Sequence, residues 1–161
     1  MAEKRPAEQV EKSDIAFFWT QSPLFFLFDE DDWRAFVART SQCEISAGES
    51  LWREGEIGDR LFCVCSGRLE AARKTPEWGK PIIMAEFVAG ATVGWVPNGD
   101  PTPHSTTLQV VETALLLEFD QAGLEDLNLS QPEVVMKLWR GAARLEGNRL
   151  RRANQRLVTL F

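Results

Sequence analysis

The stretch GESLWREGEIGDRLFCVCSG, residues 48–67, decides the fold of this chain. Its two apolar runs, SLWRE and RLFCVCSG, are short and are separated by a glycine-containing turn. The same alternation of short apolar runs and turns continues to residue 119, with a turn signal about every ten residues. This spacing predicts a mainly β chain with a small antiparallel barrel or sandwich of roughly eight strands. The glycines that mark the turns are Gly48, Gly55, Gly58, Gly67, Gly79 and Gly90.

Helical patterns flank this β segment on both sides. Residues 13–40 are rich in aromatic side chains and predict a layer of short helices. Residues 120–161 carry apolar side chains at helical spacing, which predicts a short helix and a closing helix of about 25 residues. With the β-barrel segment 41–119 between them, they form one predicted domain, 13–161. The polar residues 1–12 are expected to be a disordered tail.

The closing helix carries two features that call for an explanation. Gly141 and Gly147 lie inside it, where each costs about 1 kcal/mol relative to alanine, so we expect close packing against another part of the chain. Glu146 and Arg149 interrupt its apolar stripe in the middle. We expect the helix to leave the barrel at that point.

The composition excludes several classes of function. One histidine is too few for a metal-dependent barrel enzyme of the cupin kind, and the three cysteines match no zinc-ligand spacing. A Ser or Cys nucleophile has only that one imidazole as a base, so we predict no enzyme, no catalytic residues, no metal site and no resident cofactor. No apolar run approaches the ~20 residues that a membrane span needs. We therefore expect a soluble cytoplasmic protein without a membrane partner and with reduced, mostly buried thiols.

The stretch 48–67 resembles the first half of the cyclic nucleotide-binding domain, the jelly roll shared by catabolite activator proteins, kinase regulatory subunits and cyclic-nucleotide-gated channels. The resemblance rests on positions that agree at fixed spacing and covers about residues 15 to 155. It implies an eight-stranded antiparallel jelly-roll barrel flanked by N-terminal helices and a long C-terminal helix, with a regulatory role in signal transduction. The matching positions are Gly48, Glu49, Glu54, Gly55, Glu56, Gly58, Asp59, Leu61, Phe62, Val64, Ser66 and Gly67.

The resemblance also assigns the stretch GWVPNGDPTPHSTTL, residues 94–108, to the family's phosphate-binding cassette. The family pattern there is Phe-Gly-Glu, a short helix, and a segment of the type Pro-Arg-Ala-Ala-Thr-Val. The glutamate accepts a hydrogen bond from the ribose 2′-hydroxyl, and the arginine pairs with the cyclic phosphate. Backbone N–H groups at the start of the short helix complete the anion site.

This chain departs from that pattern at both key positions. Gly94 keeps the glycine, but the glutamate position holds Trp95, which cannot accept a hydrogen bond, and the arginine position holds His104. Three prolines in the loop also lack N–H groups. Losing one partner of a buried charge pair costs about 2–5 kcal/mol, so the cassette is predicted to be degenerate. The residues assigned to it are Gly94, Trp95, His104, Ser105, Thr106 and Thr107.

Three functions stay open at this point. The first is a regulatory sensor or adaptor that does not bind cyclic AMP in the usual way, with Trp95 filling the ribose pocket. The second is a cyclic nucleotide receptor in which His104, Thr106 and Thr107 hold the phosphate of a cyclic nucleotide or another small anionic ligand. The third is an adaptor that touches nucleic acid through its basic C-terminal helix, because residues 131–161 hold seven Lys or Arg and two Glu within a chain of net charge −6. The arginines concerned are Arg149, Arg151, Arg152 and Arg156.

The expected partner is a protein or a second copy of the chain. A catabolite activator would continue into a winged helix-turn-helix, and this chain ends too soon for one, so we expect no DNA-binding domain and disfavour nucleic acid as a partner. The family's long helix dimerises, which implies the same role for the closing helix here. The residues assigned to that interface are Leu150, Ala153, Leu157 and Leu160.

Overall fold

The computed structural model describes residues 4–6, 18–75, 79–94 and 102–158, and the side chains of 18–75, 79–94 and 102–158. It confirms an antiparallel jelly roll with flanking helices, although the sheet does not close into a complete barrel. The strands are β1 Lys4–Pro6, β2 Ser41–Ile45, β3 Ser50–Trp52, β4 Ile57–Gly58, β5 Leu61–Lys74, β6 Pro81–Val88, β7 Thr92–Gly94, β8 Thr102–Pro103 and β9 Thr107–Phe119. The helices are α1 Glu30–Val37, α2 Gln121–Ser130 and α3 Pro132–Val158, with a 3-10 turn at Pro23–Phe25.

Two long strands, β5 and β9, form the centre of the main sheet. The sheet has the order β1-β2-β9-β5-β6, with β3 added to β9 and β7 added to β5, while β4 and β8 form a separate two-stranded ribbon. Strand β1 lies within residues 1–12, and the rest of that predicted tail lies outside the described residues. The sheet thus places β7 and β8, the strands that border the cassette, beside β5 and β4.

The predicted break between two strands at Gly67 is wrong, because the chain continues through it as one strand. Gly67 has φ +87°, and a Cβ there would lie 2.5 Å from the carbonyl oxygen of Thr113. The β5–β9 register shifts on both sides of this position, which identifies a bulge that bends the strand rather than a turn that ends it. The runs STTLQVVE and ALLLEF were also predicted as separate strands, but they contribute to one continuous strand, β9.

The sheet is buried on both faces at the start of β5, whereas β6 is largely exposed. Leu61, Cys63 and Cys65 of β5 face the helices, whereas Phe62 and Val64 face the interior of the roll. This alternation follows from the two-residue period of a strand, and it explains why β5 begins with an uninterrupted buried run. All three cysteines of the chain are buried, as predicted.

The helical layer is fixed to the sheet by aromatic packing and by a capped helix. Asp29 caps α1, its carboxylate accepting from the backbone N–H groups of Asp31 and Asp32, and Asp32 accepts in return from the N–H of Asp29. Asp32 is buried, and its carboxylate also forms an ion pair with the ammonium group of Lys137 from α3. The rings of Phe36 and Phe119 lie 4.6 Å apart, joining α1 to the end of β9.

Helix α3 packs one face against this layer. Gly141 is required there, because a Cβ would lie 1.8 Å from the carbonyl oxygen of Leu24. Gly147 has no such neighbour, since its Cβ would meet only the guanidinium of Arg151, at 3.8 Å. The expected close packing is therefore confirmed at the first glycine and wrong at the second.

Candidate functional site

The first border of the cassette is strand β7. Gly94 ends this strand with φ +97°, and a Cβ there would lie 2.4 Å from the carbonyl oxygen of Arg60. Both facts require glycine, so the position that the family pattern keeps is also fixed by packing in this chain. Trp95 follows directly, and its predicted place in the ribose pocket lies outside the described residues.

The second border of the cassette is β8 with the residue after it, His104. Its imidazole lies parallel to the indole of Trp52, with ring centroids 4.0 Å apart and an interplanar angle of 8°. The ring also meets Gly58, where a Cβ would come within 2.4 Å of Cε1 and Nε2. His104 is thus packed against an aromatic ring of β3 and a glycine of β4.

The backbone and the charge state of His104 follow from the same packing. Its N–H donates to the carbonyl of Glu56 at 2.8 Å, and its carbonyl accepts from the N–H of Gly55 at 2.8 Å. Burial lowers the pKa of the imidazole from its usual 6.5, although the carboxylate of Glu56 opposes this shift. The ring is therefore neutral at pH 7 and carries no charge for a phosphate.

Two of the hydroxyl residues after His104 are bonded to the segment that runs from β3 to β4. The indole N–H of Trp52 donates to the backbone carbonyl of Thr106 at 3.0 Å, and the N–H of Glu54 donates to Oγ1 of Thr107 at 3.1 Å. Ser105 is exposed. The structure thus places His104, Thr106 and Thr107 beside the segment from β3 to β4, and each of the three has a partner in that segment.

Sequence analysis missed Trp52 as a partner of the cassette. The residue lies in the run SLWRE, about fifty positions before His104, and nothing in the local pattern links the two. Their contact depends on β3 pairing with β9 and on β4 pairing with β8, which is a property of the folded sheet.

Helix α3 contacts strand β7, the first border of the cassette. Arg149 donates through Nη1 to Oε1 of Glu146 and through Nη2 to the carbonyl of Thr92, both at 2.6 Å. These two residues interrupt the apolar stripe of the helix, which is the signal that sequence analysis noted. Their role as a bridge to the cassette strand was not predicted.

The residues assigned to the dimer interface are exposed as far as they are described. Leu150 is 63% exposed and Leu157 is 56% exposed, Ala153 is exposed, and Leu160 lies outside the described residues. The apolar line continues towards the start of α3 through further exposed side chains that were not predicted. These are Met136, Trp139 and Ala143.

The basic residues of the helix differ in their surroundings. Arg149 is engaged by Glu146 and Thr92, and a guanidinium nitrogen of Arg151 donates to the side-chain oxygen of Asn148. Arg152 and Arg156 are exposed. The four arginines assigned to a nucleic-acid surface therefore do not form one evenly exposed row.

Two other kinds of feature are absent from the described residues. Within 18–75, 79–94 and 102–158, no group of three or more His, Cys, Asp or Glu side chains is placed to hold a metal ion. No described helix is long and apolar enough to cross a membrane.

Comparison with known proteins assigns the chain to a family. The family model described as the cyclic nucleotide-binding domain matches residues 42–130, more than half of the chain. The chain therefore belongs to the cyclic nucleotide-binding domain family, whose members are regulatory domains rather than enzymes.

Relatives of known sequence agree with this assignment. The CRP-like cAMP-activated global transcriptional regulator of Mycobacterium tuberculosis is 28% identical over 130 residues, which cover 79% of this chain and 56% of the regulator. The chain thus spans about half the length of that relative. Patatin-like phospholipase domain-containing protein 7 of Mus musculus is 28% identical over 95 residues, 59% of this chain but 7% of the phospholipase, so the likeness is confined to one part of that protein.

Solved structures show the same fold. The N-terminal domain of a transcriptional regulator from Streptomyces coelicolor superposes with a TM-score of 0.71 at 29% identity, covering 84% of this chain and 92% of that one. A cyclic nucleotide-binding domain from Methylobacillus flagellatus gives a TM-score of 0.81 at 20% identity, covering 92% and 83%, a likeness of fold alone.

Proposed function

We propose that this chain is a regulatory module of the cyclic nucleotide-binding family whose cassette does not bind cyclic AMP in the usual way. It would act through protein contacts or through a different small ligand. The proposal rests on His104, which the resemblance assigns to the position of the family's phosphate-binding arginine, and the observation that carries it is the packing of this residue against Trp52 and Gly58.

The surroundings of His104 support this proposal in two ways. The imidazole is packed against Trp52 and Gly58, so its position is set by contacts within the chain. Its lowered pKa also keeps it neutral at pH 7, so it offers a single neutral donor in place of a bidentate cation.

Calorimetric titration with cyclic AMP and cyclic GMP at pH 7.5 and pH 5.5 tests the proposal. Two missing partners at about 2–5 kcal/mol each reduce affinity by at least about a thousandfold, so we expect no micromolar binding to the natural chain. The variant Trp95→Glu/His104→Arg restores the two family groups and is expected to gain affinity. Micromolar binding at pH 7.5 that is lost on replacing His104 with Ala would instead establish the receptor with an unorthodox cassette.

We also propose that α3 joins two copies of the chain. Its exposed apolar side chains follow the alternating three- and four-residue spacing of a two-stranded coiled coil, and one position of the series holds a carboxylate, Glu146. Such a line is self-complementary, as a two-fold symmetric interface requires. We call this line the seam, and its members are Met136, Trp139, Ala143, Glu146, Leu150, Ala153 and Leu157.

Sedimentation equilibrium tests the seam. We expect the natural chain to be a dimer at micromolar concentration and Leu150→Glu to be a monomer, because a charge would enter the apolar contact. Gln155→Glu adds the same charge to an exposed site on the opposite side of the helix and is expected to stay dimeric. A natural chain that remains monomeric at several concentrations, or a dimer that Leu150→Glu does not weaken, would show that α3 is not the interface.

A further inference from the structure

The bridge between α3 and β7 has the geometry of a built contact. Both hydrogen bonds of the Arg149 guanidinium are 2.6 Å long, one to the carboxylate of Glu146 and one to the carbonyl of Thr92. Arg149 and Glu146 are both half-buried, and the cleft between helix and strand is lined by apolar residues such as Leu61 and Leu145. Partial exclusion of water strengthens such charge-assisted bonds.

One end of this bridge is the strand that leads into the cassette. Thr92 begins β7, is buried, and pairs with Cys63 of β5 on one side. The Thr92 carbonyl that Arg149 binds lies two residues before Gly94, where the cassette begins. The guanidinium is therefore bonded directly to β7, the strand that forms the first border of the cassette.

The other end of the bridge is the seam. Glu146 occupies the seam position between Ala143 and Leu150, where the spacing otherwise places apolar side chains. Its carboxylate is oriented by Arg149, which keeps the charge turned towards β7. Pairing of two seams would restrict the side-chain conformations of Glu146 further. A displaced Glu146 would in turn change the surface that the seam of a second copy contacts.

We propose that Glu146 and Arg149 are a positioning pair that couples association along α3 to the placement of β7. This inference rests on the proposed dimer. Coupling of this kind is reciprocal: association stabilises the Thr92 contact, and loss of the Thr92 contact weakens association by the same factor. Neither residue has to touch a ligand for this effect.

The test combines hydrogen exchange with sedimentation equilibrium on the full chain. Arg149→Gln removes the charge and one of the two contacts, and we expect faster exchange in residues 90–94 together with a dimer dissociation constant raised about 5- to 150-fold. Arg149→Lys keeps the positive charge but loses the planar guanidinium that bonds two partners at once. We expect its exchange rate and its dissociation constant to lie between those of the natural chain and Arg149→Gln. Arg152→Gln makes the same change of charge at an exposed site and is expected to alter neither measurement.

The outcomes separate the two proposals. A natural chain that is monomeric throughout would refute the dimer, and the coupling with it. A dimeric natural chain whose dissociation constant is unchanged by Arg149→Gln would refute the coupling alone, even if exchange in β7 becomes faster. Faster exchange and weaker association together, both partly recovered by Arg149→Lys, would support it.

Discussion

The imidazole of His104 and the indole of Trp52 are stacked, with centroids 4.0 Å apart and an interplanar angle of 8°. This contact joins the end of the cassette to strand β3, and Gly58 of β4 lies against the Cε1 and Nε2 atoms of the same ring. The one histidine of the chain is thus part of the packing that holds the cassette border in place. Several measurable consequences follow from this contact and from others described above.

Replacing Gly58 with Ala is expected to destabilise the chain by about 1–3 kcal/mol in urea unfolding, because the new Cβ would meet the His104 ring at 2.4 Å. Gly58 does not have a positive φ, so backbone strain adds nothing to this cost. In a His104→Ala background the same change should cost less than half as much. An equal cost in both backgrounds would show that the ring is not what Gly58 accommodates.

Two glycines of α3 form a matched pair for substitution by Ala. Gly141→Ala is expected to cost about 3 kcal/mol or more, because the Cβ would overlap the backbone carbonyl of Leu24, which cannot move without separating the 3-10 turn from the helix. Gly147→Ala is expected to stabilise the chain by about 0.5–1 kcal/mol through helix propensity alone. Thermal unfolding of both variants checks the difference, and effects of the same sign would contradict it.

Ser22→Ala is expected to leave stability unchanged or raise it by up to about 1 kcal/mol. The hydroxyl of Ser22 is buried and makes no hydrogen bond with the described residues, so its removal relieves a desolvation cost. Thr40→Val serves as the control, since Oγ1 of Thr40 donates to the carbonyl of Val37 at 2.8 Å. We expect that control to lose about 1 kcal/mol in urea unfolding. A comparable loss in Ser22→Ala would mean that the hydroxyl has a partner.

The lowered pKa of His104 predicts a dependence of stability on pH. The unfolded chain binds a proton at this residue near pH 6.5, whereas the folded chain binds it only at lower pH. The stabilisation is therefore complete above pH 6.5 and declines as pH falls towards the folded pKa. Between pH 7.5 and pH 5.5 the natural chain should lose more unfolding free energy than His104→Gln, which does not titrate. Equal losses in urea titrations of the two would contradict the burial of the imidazole.

Much of the fold was predictable because its turns are marked locally. Gly48, Gly55, Gly79 and Gly90 all adopt positive φ, as expected of turn residues. Gly67 has the same local signature but lies in a bulge, and the sequence around it cannot distinguish the two because both need a glycine with positive φ. The count of strands and the positions of the breaks therefore depend on pairing between distant segments.

The site was less predictable because its contacts span the chain. The resemblance to the family predicts that His104 occupies the arginine position, but only the folded sheet brings Trp52 and Gly58 against it. Helix α3 shows the same limit. Its apolar residues read as one broad stripe, whereas the structure buries Leu138 and leaves Leu150 exposed. The periodicity predicts which residues share a face of the helix. How far along the helix that face is buried depends on where the neighbouring helical layer ends.

The cysteines buried on the two faces of the sheet can report chemically on its opening. Cys43 lies in the interior of the roll, whereas Cys63 and Cys65 lie between the sheet and the helices. Burial raises the pKa of the Cys63 thiol, so in the folded state it is both inaccessible and unreactive. A thiol reagent can reach these sulfurs only when the corresponding layer separates. The order in which the cysteines are modified would therefore reveal whether the helices leave the sheet before the roll itself opens.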